Sequence, residues 1–207
     1  MIVVSTSYAP PADARGKCIA SVIPSPHTYI DAAEQAPPLS HFENMLASTA
    51  RADDDEVIVS LDGDDWLLPG ALERVQREHD AGALVTYGSF VYADGRPGFA
   101  APANPATIRR DPWTATHLKT FRAGLLRRIQ REHLQDARGV WLEHARDMAL
   151  MFPLIEMAGE RAKFIPDVLC VYNYVNSTEF RGDAAMLASE RAAVAYVRGL
   201  PAYERLP

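Results

Sequence analysis

Val57-Ile58-Val59-Ser60-Leu61-Asp62-Gly63-Asp64-Asp65-Trp66-Leu67 decides how this chain is read. Its first half is a short β-branched and apolar run, the composition of a buried strand, and it ends abruptly in three carboxylates. Trp66, Leu67, Leu68 and Pro69 then lead into a helical pattern, which places the acids at the carboxyl end of a strand. Open α/β sheets bind their ligands at that edge. Gly63 lets the backbone turn tightly, so that Asp62 and Asp64 converge on one point. Two hard oxygen ligands on a short loop suit Mg²⁺ or Mn²⁺, with the remaining positions left to water and a substrate phosphate. For Asp65 the plainer reading is preferred, a solvated turn residue that caps the following helix.

Upstream, Met1 to Thr6 reads as a first strand, passing into Ser5-Thr6-Ser7-Tyr8 and ending at Ala9-Pro10-Pro11. Small hydroxyls followed by an aromatic can receive a nucleotide base and ribose, and they also make an ordinary loop. His27-Thr28-Tyr29-Ile30-Asp31 has strand composition and again finishes in an acid, a turn former or a partner for a base edge. Phe42, Met45, Leu46 and Thr49 fall at helical spacing, and Ser40 with Glu43 is spaced as a capping box. His41 and Asn44 read as polar-face residues of that helix. Asp53 to Glu56 is a charge run of the solvated connecting type.

Downstream, Leu72 and Val75 mark a helix ending near Gly82, and Leu84 to Tyr92 is a strand closed by an Asp94-Gly95 turn. Residues 96–116 are rich in Pro and Ala without a period, the pattern of a functional loop or lid. His117 is a candidate third metal or diphosphate ligand. Residues 116–122 lead into Leu125, Leu126 and Ile129, and Arg122, Arg127, Arg128 and Arg131 read as a basic stripe. Trp141 to Ala158 is the strongest helical segment, with Pro153 as a kink and Asp147 near its start. Phe164-Ile165 and Val168 to Tyr172 read as two short strands, and Asp183 to Val197 as an Ala-rich helix.

The 207 residues fit one domain, or one domain with a small appendage, and 48% of them are hydrophobic. A formal charge of −6 supplies no general field for nucleic acid or an anionic membrane. Cys18 and Cys170 lack a CxxC partner and read as reduced thiols. With no signal-peptide core and no run long enough for a membrane span, the expectation is a soluble protein of a reducing compartment.

Taken in order, Asp31, the helix with Asn44, Leu61-Asp62-Gly63-Asp64-Asp65-Trp66-Leu67-Leu68-Pro69, His117-Leu118-Lys119-Thr120-Phe121-Arg122, Arg146-Asp147-Met148-Ala149, Pro153 to Gly159 and Val171-Tyr172-Asn173 suggest a family. The chain resembles the family 2 glycosyltransferases of GT-A fold, closest to the short forms of large viruses, phages and bacteria. The resemblance covers residues 1 to about 178. It implies an α/β, Rossmann-like nucleotide-diphospho-sugar transferase fold, with a central, mostly parallel sheet flanked by helices. Residues 1–178 would form the transferase domain and residues 179–207 a C-terminal helical extension packed on it. Thr6, Tyr8, Asp31 and Asp62 would hold the nucleotide, with Asp31 at the base. Asp62 and Asp64, with His117, would bind Mn²⁺ or Mg²⁺ against the diphosphate, and Asp147 would be the catalytic base.

The implied reaction is metal-dependent, inverting transfer from a nucleotide sugar, UDP-hexose by default, in the cytoplasm of a bacterium or infected host cell. The acceptor would be a glycan or a hydroxymethylated base of phage DNA. This chain departs from the family pattern in carrying Asp31-Ala32-Ala33-Glu34 where a longer acid-rich segment is usual, and Arg146 where a glutamate often precedes the base. Two alternatives are a non-catalytic nucleotide-sugar or glycan-binding domain and a haloacid-dehalogenase-like phosphatase. The phosphatase motif wants a hydroxyl residue where Trp66 stands.

Overall fold

The computed structural model describes residues 1–5, 12–31, 40–50, 52–174 and 184–207. Its strands are β1 (Ile2–Ser5), β2 (Thr28–Asp31), β3 (Val57–Leu61), β4 (Trp66–Leu67), β5 (Val85–Tyr92), β6 (Lys119–Arg122) and β7 (Ala162–Tyr172). They form one sheet in the order β2-β1-β3-β6-β5-β7-β4. The helices are α1 (Ala12–Val22), α2 (His41–Thr49), α3 (Ala71–Asp80), α4 (Ala123–Leu126), α5 (Arg146–Ala158) and α6 (Ala184–Gly199).

Strand alternation explains the two cores. Ile2, Val4 and Ile58 pack on one face of the sheet with Phe42, Met45 and the apolar side of α5. Val3, Val57, Val59 and Leu61 pack on the other with Cys18, Leu72 and Val75. Both faces of β3 are covered and all five of its residues are buried, hence the unbroken apolar run in the sequence. The capping box at α2 forms as expected: the Glu43 amide donates to the Ser40 hydroxyl, and the Ser40 amide to the Glu43 carboxylate.

The pairing sets up the site. β1 runs parallel to both β2 and β3, so Ser5, Asp31 and Leu61 end at one edge. β6 then lies antiparallel between β3 and β5, with Ser60 opposite Lys119. Continuing that register by two residues brings His117 level with Asp62.

Several local expectations change. Residues 119–122 are a strand rather than the approach to a helix; four residues carry too little pattern, and β3 and β5 on either side supply the burial. The two short strands near 164–172 are a single β7, broken only by a register shift opposite Gly88 and Ser89. At Gly88 a Cβ would lie 2.6 Å from the Ile165 carbonyl oxygen, so the shift needs glycine there. Helix α5 starts at Arg146 and not at Trp141, because Ala145 takes a left-handed conformation (φ 54°) and Trp141 pairs with Gln135 instead.

The basic stripe does not exist as one helix face. Arg122 donates to the carbonyls of His79 and Asp55, Arg127 to those of Thr49 and Ala52, and Arg131 lies over the Trp141 ring. Residues 96–116 are likewise anchored and do not behave as a free lid. Ile108 is buried, the Ala103 amide donates to the Tyr87 hydroxyl, and Arg109 grips Glu156 through two bonds of 2.6 and 2.9 Å. After α6, the Leu206 amide donates to the Met157 carbonyl and the Tyr203 amide to Glu156, which holds the last residues against α5.

Behind the sheet, buried His79 bonds the Ala83 carbonyl through Nδ1 and the Thr120 hydroxyl through Nε2, and Thr120 in turn meets Thr86. Burial pushes its pKa down from 6.5 to about 4. An unfolded chain therefore takes up this proton at a higher pH than the folded one, and stability present above pH 6.5 is lost as pH falls toward 4. Each such histidine adds a slope of about 1.4 kcal/mol per pH unit inside that window. Urea titrations at pH 7, 6 and 5 should show His79→Gln less stable than wild type at pH 7 and declining less steeply. Parallel decline of the two proteins would show that His79 does not carry the pH dependence.

Candidate active site

Asp62, Asp64 and Asp65 follow β3 in a tight turn, closed by the Asp65 amide donating to the Asp62 carbonyl at 3.0 Å. Asp62, Asp65 and His117 each direct a ligand atom into one place, all within 4.8 Å of one another. Asp65 is therefore not the solvated cap expected from the sequence. It is 1% exposed, while α3 begins only at Ala71, with Gly70 as its N-cap. Asp64 is half-buried and lies outside the cluster of three.

Asp65 has a divided environment. Its Oδ1 accepts the Asn173 amide at 2.8 Å, whereas its buried Oδ2 finds no hydrogen-bond partner among the described residues and sits 4.0 Å from His117 Nδ1. Burial, reinforced by Asp62, pushes its carboxyl well above the usual carboxylate range. His117 is shifted the other way, to about 4, by burial and then by Lys119, and so stays neutral with a lone pair to offer. Its ring stacks on Tyr172 with centroids 5.0 Å apart, which fixes its plane. An orphaned carboxylate oxygen, a second carboxylate and a neutral imidazole in one cluster are a donor set that a divalent cation fits.

Across this cluster stands Asp147, in the first turn of α5. Lys119, 2% exposed, comes up from the start of β6 and donates to Asp147 Oδ1 at 2.6 Å. Burial alone would raise the Asp147 carboxyl, but the Lys119 charge outweighs it and holds it below the usual range. Burial likewise opposes the Lys119 charge, and Asp147 and Asp62 more than restore it. Lys119 carries no signal of this role in the sequence. A lysine between a leucine and a threonine reads as solvent-facing, and only the antiparallel insertion of β6 buries it among carboxylates. His41, which the sequence presents as a polar-face helix residue, also lies near this group. It opens α2, and burial and then Arg146 bring it to about 4 beside these charges.

Asp31 ends β2 at the same edge and is 8% exposed. Arg15 of α1 holds it through Nε and Nη2, both at 2.8 Å. Thr6 and Tyr8 lie outside the described residues. Beneath the acidic turn, the Cys18 thiol donates to the Asp62 carbonyl, and burial raises it to about 12. Cys18 and Cys170 are both buried and unpaired with each other, as expected. Among the described residues no helix is long and apolar enough to cross a membrane.

A curled seven-stranded α/β sheet with ligand-type side chains gathered at its edge is the GT-A glycosyltransferase fold expected from the sequence, although β6 and β4 pair antiparallel and the sheet is mixed rather than mostly parallel. In particular, the chain is similar to crystal structures of S. aureus TarS. The TarS 1-349 structure superposes with a TM-score of 0.55 at 13% identity, over 83% of this chain and 59% of that one. A longer TarS structure gives 0.56 at 13% identity, over 86% and 37%. TarS 1-349 in complex with UDP-GlcNAc gives 0.58 at 11% identity, over 98% and 67%. The chain thus spans less than two thirds of the first two structures. No family model and no curated protein matches the sequence.

Proposed function

We propose that this chain transfers a sugar from a nucleotide-diphosphate sugar to an acceptor hydroxyl, with inversion at the anomeric carbon. The observation that carries the reading is the cluster of Asp62, Asp65 and His117, with its orphaned carboxylate oxygen, facing the Lys119–Asp147 pair across the sheet edge. Asp62, Asp65 and His117 would hold Mn²⁺ or Mg²⁺, with the half-buried Asp64 contributing from the side of the diphosphate. Such a cation, when bound, offsets the charge that builds on the departing diphosphate.

The remaining steps belong to the chain's own groups. Asp31, positioned by Arg15, receives the base or ribose, together with Thr6 and Tyr8. Asp147 is ionised at neutral pH and held at one oxygen by Lys119, which leaves the other oxygen to take the proton of the acceptor hydroxyl as it attacks. Attack from the face opposite the diphosphate inverts the centre in a single displacement.

The donor is read as a UDP-hexose, a reading supported by the UDP-GlcNAc complex of the similar fold. The acceptor is read as a glycan or a hydroxymethylated base of phage DNA, as in the short viral and phage forms that the sequence resembles. Residues 1–178 form the catalytic unit in this proposal and residues 179–207 its helical extension. Two buried free thiols support a reducing, cytoplasmic setting.

A panel of nucleotide sugars, each with Mn²⁺, Mg²⁺ or EDTA, tests the proposal directly. Slow release of one nucleoside diphosphate that stops with EDTA is the expected result. Asp147→Asn should keep donor binding and lose transfer, which separates an enzyme from a domain that only binds. If no nucleotide sugar binds with either metal, the transferase reading falls.

A further inference from the structure

Away from the sheet edge, a cavity of about 670 Å³ opens between the loop before β6, the C-terminal end of α5 and the residues that follow α6. None of the candidate active-site residues lines it. Its volume is in the range of pockets that hold small organic ligands, roughly 300–1,000 Å³. Its charge is unusual for an acidic protein, since four arginines and two glutamates line it: Arg109, Arg110, Arg198 and Arg205 against Glu156 and Glu160.

The internal pairing leaves this charge largely uncompensated. Glu156 is fully engaged, by both nitrogens of the Arg109 fork and by the Tyr203 amide, so it presents little negative charge to the cavity. Arg109 spends its remaining reach on the Val197 carbonyl. Arg198 donates through Nη1 to the neutral Arg109 carbonyl and meets no carboxylate among the described residues. Arg110 is exposed and makes no ion pair among the described residues. Arg205 is 3.7 Å from Glu160, and both side chains are mostly exposed, a contact of small worth.

Arg110, Arg198 and Arg205 thus line one space with only Glu160 to set against them, an excess of two positive charges. A phosphate monoester carries about −1.5 to −2 charges near neutral pH and accepts the planar, two-pronged donation that arginine offers. The cavity is much larger than a bare phosphate, with room for an organic body the size of a sugar. We propose that it is a second binding site, separate from the sheet edge, for a phosphorylated small molecule of sugar-phosphate size. Arg110, Arg198 and Arg205 bind the phosphate, and the loop and tail enclose the body. This proposal does not depend on the transferase reading.

Binding of glucose 6-phosphate, inorganic phosphate and glucose would be measured by calorimetry at constant ionic strength, with EDTA present so that the acidic cluster cannot recruit phosphate through a metal. Saturable binding of glucose 6-phosphate is expected, with weaker binding of phosphate and none of glucose. Because Arg110 and Arg205 are exposed, Arg110→Ala combined with Arg205→Ala should fold normally, weaken glucose 6-phosphate at least tenfold and leave the thermal shift with Mn²⁺ unchanged. Arg110→Glu should weaken it further. Absence of phosphate-dependent binding, or equal affinity in wild type and the double variant, overturns the assignment. Vesicles containing phosphatidic acid form a second arm: competition with glucose 6-phosphate there would identify a lipid headgroup as the source of the same phosphate chemistry. Failure of every nucleotide sugar to bind would bear on the sheet-edge site and not on this one.

Discussion

Replacing Asp65 with asparagine should abolish the protein's response to Mn²⁺ while raising the stability of the metal-free protein. The two effects have one cause. Asparagine keeps an oxygen for the Asn173 amide, now held at 2.8 Å, and replaces the partnerless Oδ2 with a neutral group. A buried polar group without a partner costs about 1–3 kcal/mol, and an acid that burial and Asp62 hold against ionisation costs more, so a neutral amide in its place relieves the metal-free fold. The same substitution takes a hard anionic ligand from the cluster with Asp62 and His117. Loss of groups that merely support metal ligands already weakens affinity by ~10–100-fold, and loss of a ligand should do at least as much. Thermal unfolding with Mn²⁺ and with EDTA reads both signs in one experiment. A lower melting temperature in EDTA together with an intact Mn²⁺ shift would mean that Asp65 is a structural acid and that the metal lies elsewhere.

The second large effect is expected at Lys119. Lys119→Met fills the same space with an apolar chain and leaves Asp147 beside Asp62 without its counter-charge. Removing one partner of a fully buried pair costs about 3–5 kcal/mol. Here the Asp147 side chain is 36% exposed, so solvent screens part of the loss and roughly 1–3 kcal/mol is expected. Without the lysine, Asp147 loses the contact that holds it in place and the charge that keeps its carboxyl low, and transfer should fall by about the factor of 10²–10⁴ that a positioned general base supplies. Nucleotide-sugar binding should change far less. Combining Lys119→Met with Asp147→Asn should recover most of the stability and none of the transfer, since the unpaired charge is then gone while the base is still missing. If Lys119→Met turned over like wild type, the ion pair would be a matter of stability alone.

How much of this was legible beforehand depended on the range over which each signal acts. The buried strand β3 and its acidic turn, the capping box of α2, the amphipathic α3 and the acid in the first turn of α5 are written in neighbouring residues. Strand β6 was not, because four residues have no period to read and their burial is conferred by β3 and β5. The loop at 96–116 looked like a lid because nothing local shows that Arg109 will find Glu156 or that Ile108 will reach the core.

The acidic turn divides along the same line. Its composition placed a run of carboxylates at the carboxyl end of a buried strand, since the β-branched run passes straight into Asp-Gly-Asp-Asp. Which of those carboxylates is buried was decided only when Asn173, arriving from the end of β7, gave Asp65 one hydrogen bond and closed it off from water. That Asp147 faces the cluster through Lys119, and that His117 stands level with Asp62, followed from an antiparallel register. Burial and charge pairing between distant segments are properties of contacts. Sequence spacing carries them only where the partners are neighbours in the chain.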